Sequence, residues 1–450
     1  MISMLLSDAA KTVGSSLTGK DTFFSGCSTD SRTIEKGNLF IALKGEYFDG
    51  HEYISVAEKN GASSLILDHD VSNTKPFIKV KDTREAMGLL AKSWREKITI
   101  PLVAITGSNG KTTVKEMVAS ILSVVSKVHA TSGNLNNEIG VPKTLFGLNE
   151  EHNYAVVEMG ANHLGEIEWL SKISSPNVAV ITQCAPAHLE GFKNIESVAK
   201  AKAEIYSGLQ SSGVAVINAD DEYADFWKNS SKRTKQLTFG KSKNSDIRAE
   251  NIKFSKDKLF INFRIVTLDD SIEIKLPLPG QHNVMNALAA AACCLSLDIS
   301  MQAIKKGLEN MRPIKGRLEI RSGKKNVRII DDTYNANPTS LDAAIKTLSD
   351  MKGSRFIVLG DMGELGQDAV RFHEDVGVIA KQNNIDGLFT IGDLSMNATK
   401  SFGKGAFHFS NYDELGESLT RILNKDTNIL VKGSRAMKME KIVEMLTEKN

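Results

Sequence analysis

Short apolar runs, each followed by a longer stretch whose apolar positions fall three and four apart, alternate along most of this chain. That pattern predicts strands alternating with helices. It is sharpest at Leu102-Val103-Ala104-Ile105-Thr106, which gives way through a glycine turn to Val114, Met117, Val118, Ile121, Leu122 and Val125, one buried helix face. Further strands are predicted at 39–45, 64–67, 77–80, 154–158, 178–182 and 214–218, and again at 327–330, 356–359, 388–391 and 429–432. Residues 246–278 alternate apolar and polar, as in Leu259-Phe260-Ile261-Asn262-Phe263, and predict an antiparallel addition at a sheet edge. Gly280-Gln281-His282-Asn283 caps a helix from Asn286 to Cys294 that is nearly all alanine, hence buried.

The alternation implies an α/β fold with mainly parallel sheets covered on both faces. We expect three domains: a small mixed α/β unit at 1–82, a central P-loop-type sheet domain at 83–312, and a Rossmann-like α/β domain at 313–450. Met311-Arg312-Pro313 is the expected hinge, because proline disfavours helix before it.

Composition removes several classes of function. Fifty-six basic against 54 acidic residues leave a formal charge of +2 with no basic run, so neither a nucleic acid nor a membrane surface is the expected partner. The N-terminus lacks the pattern of a signal peptide, and no run reaches the roughly 18 apolar residues of a membrane span. Cys27, Cys184, Cys293 and Cys294 show no CxxC pairing, which fits a reducing cytoplasm.

The chemistry gathers at the expected carboxyl ends of strands, where open parallel sheets collect ligands. Gly107-Ser108-Asn109-Gly110-Lys111-Thr112-Thr113 is a phosphate cradle tighter than the common form, with Ile105 where the usual first glycine stands. Its amides and helix end favour an anion, Lys111 neutralises phosphate, and the Thr112 hydroxyl suits magnesium. Glu158 ends a strand as its only acid, aimed at the same rim, and His188 lies just past another. Magnesium takes oxygen ligands, so one hydroxyl and one carboxylate serve a nucleotide-bound ion. Arg317, in a glycine-flanked segment, is a candidate phosphate clamp, and Asp332, Tyr334 and Asn337 suit ribose hydroxyls and base edges. By spacing alone, Lys202 reads as a lysine on a solvated helix face.

Five further segments complete the picture: Ser132–Pro142, Glu158-Met159-Gly160, Gly280–Ala287, Asp332–Pro338 and Gly360–Gly366. Together and in this order they resemble the Mur ligase family, the ATP-dependent amino-acid-adding enzymes of peptidoglycan synthesis. The resemblance covers essentially the whole chain. The Asp-Asn-Pro-Arg motif of relatives adding diaminopimelate or lysine is missing, which favours the member adding D-alanyl-D-alanine to UDP-N-acetylmuramoyl-tripeptide.

The resemblance implies roles. Lys111 and the loop amides would hold ATP, with Thr112 and Glu158 on a first magnesium ion and His188 on a second. Lys202 matches a carbamylated lysine whose added carboxylate organises that metal. His282, Asn283 and Asn286 resemble adenine-side contacts, Arg317 the γ-phosphate arginine, and Asp332, Tyr334 and Asn337 the ribose or base contacts. Ser31, Arg32, Lys44, Asp49 and His51 would bind the uridine nucleotide, and Asn134 and Asn137 would face the muramoyl end. A cytoplasmic bacterial monomer with small-molecule substrates is implied. The alternatives are another ligase of this fold, such as a folylpolyglutamate synthase, and a non-catalytic nucleotide-binding module.

Overall fold

Valine, isoleucine and alanine fill the central strands, and Leu102–Thr106, Val178–Ile181 and Val214–Asn218 are buried along their whole length. That is the burial a parallel strand needs when helices cover both faces. The computed structural model describes residues 1–187, 189–255 and 259–448, and its strands form three large sheets and one small antiparallel pair.

The first large sheet has five strands in the order Leu17–Thr18, Phe77–Lys79, Ser64–Leu67, Leu39–Ile41, Cys27–Ser28, parallel except for the first pair. The second has nine, and Leu102–Thr106 lies between Val178–Ile181 and Tyr154–Glu158. Its far edge is the expected antiparallel addition, Ile247–Phe254, Ile261–Val266 and Ser271–Leu276. The third has six strands, Glu319–Ser322, Arg328–Asp332, Thr427–Lys432, Ser354–Gly360, Gly387–Ile391 and Ala406–Phe409, parallel apart from the first.

One apolar core runs without a break from Ile2, Phe24 and Ile41 through the helix Thr83–Lys97 to one face of the nine-stranded sheet. The other face packs on Lys111–Leu122 and the alanine-rich helix His282–Leu295, with Cys293 and Cys294 inside as small apolar groups. The six-stranded sheet keeps two cores of its own.

Several expectations need correction. The alanine-rich helix starts at His282, so His282 and Asn283 lie in its first turn, and Gln281 makes no side-chain cap bond. Val125 is 48% exposed and lies past the helix end at Leu122. The strand expected from 259 begins at Ile261. Eight strands among the described residues were not expected: Ser3–Leu5, Leu17–Thr18, Phe23–Ser25 and Cys27–Ser28 in the first domain, and Val128–Ala130, Glu319–Ser322, Ala406–Phe409 and the longer Lys235–Gly240. Val128–Ala130, Glu319–Ser322 and Ala406–Phe409 are edge or near-edge strands of only three or four half-buried residues, too short for a period to register.

Candidate nucleotide site

The strand Leu102–Thr106 must turn sharply to enter the helix Lys111–Leu122, and glycine makes the turn possible. Gly107 and Gly110 have φ of 147° and 83°, backbone that L side chains rarely adopt. A Cβ on Gly107 would fall 1.8 Å from Thr182 Oγ1, and one on Gly110 would fall 2.5 Å from Asn286 Oδ1. The loop is stapled in place. Ser108 Oγ donates to the Ala185 carbonyl at 2.9 Å, and Thr182 Oγ1 donates to the Asn109 carbonyl at 2.6 Å. Gly110→Ala is expected to introduce strain of about 1–3 kcal/mol. A several-degree fall in Tm together with weaker ATP binding would show it.

Lys111 Nζ folds back to donate to the Gly107 carbonyl at 2.7 Å. Burial pushes its pKa down; Glu158 opposes the shift, and Arg317 adds to it. Glu158, the last residue of its strand, is 1% exposed. Its Oε1 accepts from Asn136 Nδ2 at 2.8 Å, while Oε2 is buried with no hydrogen-bond partner among the described residues. A buried carboxylate oxygen without a donor is costly, and a cation beside it removes the cost.

The third domain reaches this loop by two arms. Arg317 lies over the Tyr334 ring, 4.1 Å from its centroid, and Nη2 donates to Thr112 Oγ1 at 2.8 Å. Asn337, which caps the helix Pro338–Ser349, sends Nδ2 to Asn109 Oδ1 at 2.7 Å. Between the arms and the loop lies a cavity of about 380 Å³, lined by Lys111, Glu158, His282, Asn286, Asp332 and Tyr334 among others. Asn286 Nδ2 donates to Asn283 Oδ1 at 2.9 Å, and Asn283 Nδ2 to the Pro279 carbonyl at 2.6 Å, so this pair is prearranged at the cavity wall. The His282 ring is held neutral chiefly by burial; Asp332 opposes that and Lys432 supports it.

Lys202 is not on a solvated face. It is 1% exposed, with Nζ 5.7 Å from the Phe192 ring centroid. Burial, assisted by the charge of Lys111, pushes its pKa down to about 7. His188 lies outside the described residues.

The residues expected on the uridine nucleotide and the muramoyl end are spread more widely. Asn134 lines the cavity, whereas Asn137 Oδ1 accepts from the Gly140 and Ile139 amides in the turn that leads into the helix Gly140–Phe146. Ser31, Arg32, Lys44, Asp49 and His51 all sit on the first domain, away from the cavity lining. Arg32 is exposed and turned back on Asp30 at 2.7 Å. Arg84 joins this rim to the next domain, donating to the Lys44 carbonyl at 2.7 Å and facing Glu138 at 3.5 Å. Asp49, His51 and His69 lie close enough for a cation. Both ring nitrogens of His51 are engaged, however, Nδ1 with Asp49 at 2.6 Å and Nε2 with the Asp68 amide at 3.2 Å.

Sequence reasoning passed over Asn136, Thr182 and Lys432, all at the cavity. Asn136 lies within Ser132–Pro142, but nothing in that segment's pattern shows that it meets Glu158.

Family models for the Mur ligase family catalytic domain, the Mur ligase middle domain and the Mur ligase glutamate ligase domain match residues 24–95, 105–294 and 316–435. The chain is 42% identical to the UDP-N-acetylmuramoyl-tripeptide–D-alanyl-D-alanine ligase of Escherichia coli (strain K12), over 100% of this chain and 99% of that one. It is 35% identical to the enzyme of the same name in Bacillus subtilis (strain 168), over 95% and 94%. Among solved structures, MurF from Acinetobacter baumannii superimposes with a TM-score of 0.93 at 36% identity, covering 98% of each chain. The MurF ligase of Thermotoga maritima in complex with ADP gives 0.84 at 28% identity, covering 93% of this chain and 96% of that one.

A phosphate loop closed by arms from a separate α/β domain is the plan of an ATP-dependent peptide ligase. The chain belongs to the Mur ligase family, and within it to the MurF type.

Proposed function

We propose that this protein joins D-alanyl-D-alanine to UDP-N-acetylmuramoyl-tripeptide at the expense of ATP, releasing ADP and phosphate. The observation that carries the reading is the cavity in which Lys111 and the turn amides face Arg317 from another domain. The names of the full-length relatives supply the substrates.

A carboxylate does not acylate an amine at neutral pH, because an oxide is too poor a leaving group. Transfer of the γ-phosphoryl group to the tripeptide's terminal carboxylate forms an acyl phosphate and breaks the bond to ADP. The dipeptide amine then attacks the acyl carbon, loses a proton, and expels phosphate. Both steps load charge on phosphoryl or tetrahedral oxygens, so catalysis is positioning and charge stabilisation. Lys111 and Arg317 bracket the transferred group. Asn283 and Asn286 take the adenine side with His282, while Asp332, Tyr334 and Asn337 take the ribose or base.

Thr112 and the unpartnered Glu158 oxygen suit a magnesium ion, which when bound neutralises phosphate charge. A second ion would draw on His188 and on Lys202 as its carbamate; an amine with its pKa pushed down to about 7 offers a neutral fraction that is able to take up carbon dioxide. We assign residues 1–82 to the uridine nucleotide, through Ser31, Arg32, Lys44, Asp49 and His51. Asn134 and Asn137 belong to the muramoyl end in this reading. Residues 83–312 carry ATP, and 313–450 the incoming dipeptide.

Among the described residues no helix is long and apolar enough to cross a membrane, and the four cysteines are free. Free thiols and nucleotide substrates fit the bacterial cytoplasm, and we take the protein to act as a monomer.

Phosphate release measured with magnesium, ATP and UDP-muramoyl tripeptide tests this directly. Addition of D-alanyl-D-alanine should accelerate release and yield a product heavier by the dipeptide less one water. Release indifferent to the dipeptide, with no new amide by mass, overturns the proposal.

A further inference from the structure

Lys432 ends the strand Thr427–Lys432, and its register partner on the neighbouring parallel strand is Asp332. Its side chain is only 2% exposed and lines the nucleotide cavity. A buried ammonium stays charged only if its donors are satisfied. Nζ donates to Asp332 Oδ2 at 2.5 Å and to the Asn335 carbonyl at 2.8 Å. The other Asp332 oxygen accepts from the Leu318 amide at 3.2 Å, and Leu318 follows Arg317 directly. Asn335 stands just before the Ala336-Asn337 pair. One ammonium is therefore tied to the roots of both arms that reach the phosphate loop, Arg317 on Thr112 and Asn337 on Asn109.

A buried ion pair contributes little net stability, yet losing one partner leaves a charge that the site must rearrange to accommodate. Here the rearrangement falls on the segments that carry the two arms. The adjacent acid offers a contrast. Asp331 points to the opposite side of the sheet and meets Arg321 at 3.6 Å, and neither lines the cavity.

We propose that Lys432 is a positioning residue for the nucleotide, setting both arms of the third domain against the phosphate loop through Asp332 and Asn335. The inference rests on the nucleotide reading of the cavity above.

Calorimetric titration with MgADP tests it without turnover. Lys432→Met is expected to weaken MgADP by about tenfold, the scale of a lost charged hydrogen bond. Arg321→Met, which breaks the neighbouring pair, should stay within about twofold. Asn337→Ala added to Lys432→Met should cost less than it does in the wild type, because the arm is already displaced. Should Lys432→Met fail to fold, Lys432→Gln keeps a donor for the Asn335 carbonyl and carries the same expectation. Unchanged affinity in a folded Lys432 variant, or full additivity with Asn337→Ala, overturns the role. A wild-type protein that binds no MgADP would overturn the nucleotide reading instead.

Discussion

Replacing Lys111 with alanine is expected to slow amide formation by roughly a thousandfold, about 4 kcal/mol in the barrier. The reason is geometric. Its ammonium lies at the cavity wall beside the loop carbonyl of Gly107, half-buried, where each unit of charge counts for more than at the open surface. The carboxylate of Glu158 and the guanidinium of Arg317 are near enough to act on its titration, so its removal unbalances the local charge. The first-domain residues are remote from the change, and binding of the UDP-muramoyl peptide, measured by titration without ATP, should be preserved. Near-normal turnover in this variant would mean that the loop does not handle the transferred phosphoryl group.

Lys202→Ala should cost about a hundredfold in kcat, the usual yield of one positioned charged group. Formate or acetate added to the assay should recover part of that loss, because a free carboxylate would take the place of the carbamate proposed on Lys202. No recovery, with full loss, would leave Lys202 a cation-dependent residue. The pH profile bears on the same point. With a pKa pushed down to about 7, the neutral amine that accepts carbon dioxide accumulates as pH rises through 7, and wild-type activity should rise with it. Stability follows the same direction. Between about pH 7 and the ordinary lysine range the unfolded chain binds a proton that the folded one does not, so this group's contribution to stability grows with pH across that window.

Much of the site was legible because its parts are contiguous. Strand, glycine turn, lysine and helix follow one another between Leu102 and Leu122, and each constrains the next. Glu158 was legible as the lone acid at the end of an apolar strand, a position that in a parallel sheet faces the ligand rim. Lys202 was not legible from spacing, since its burial depends on Phe192 and on the fold of distant segments, and Lys200 two positions away is exposed. Lys432 was missed for a similar reason. At the end of a strand a lysine reads as a polar terminus, and its acid partner is 100 residues away in sequence. For Asn137 the motif does not reveal the local bonding: its side-chain oxygen accepts from the Ile139 and Gly140 amides, a contact that only the folded turn shows. The short strands escaped notice because three or four half-buried residues leave no period to read.

The continuous core from Ile2 to Trp227 welds the first two domains together, while the third keeps its apolar interior to itself and meets the phosphate loop through polar tips. Hydrogen bonds at a wet seam exchange for water at little cost, but a shared oily interior does not part. A seam of polar contacts lets the third domain part from the phosphate loop at far lower cost than the first two domains could separate, and any such movement would turn about the Met311–Pro313 joint while the shared interior stays closed.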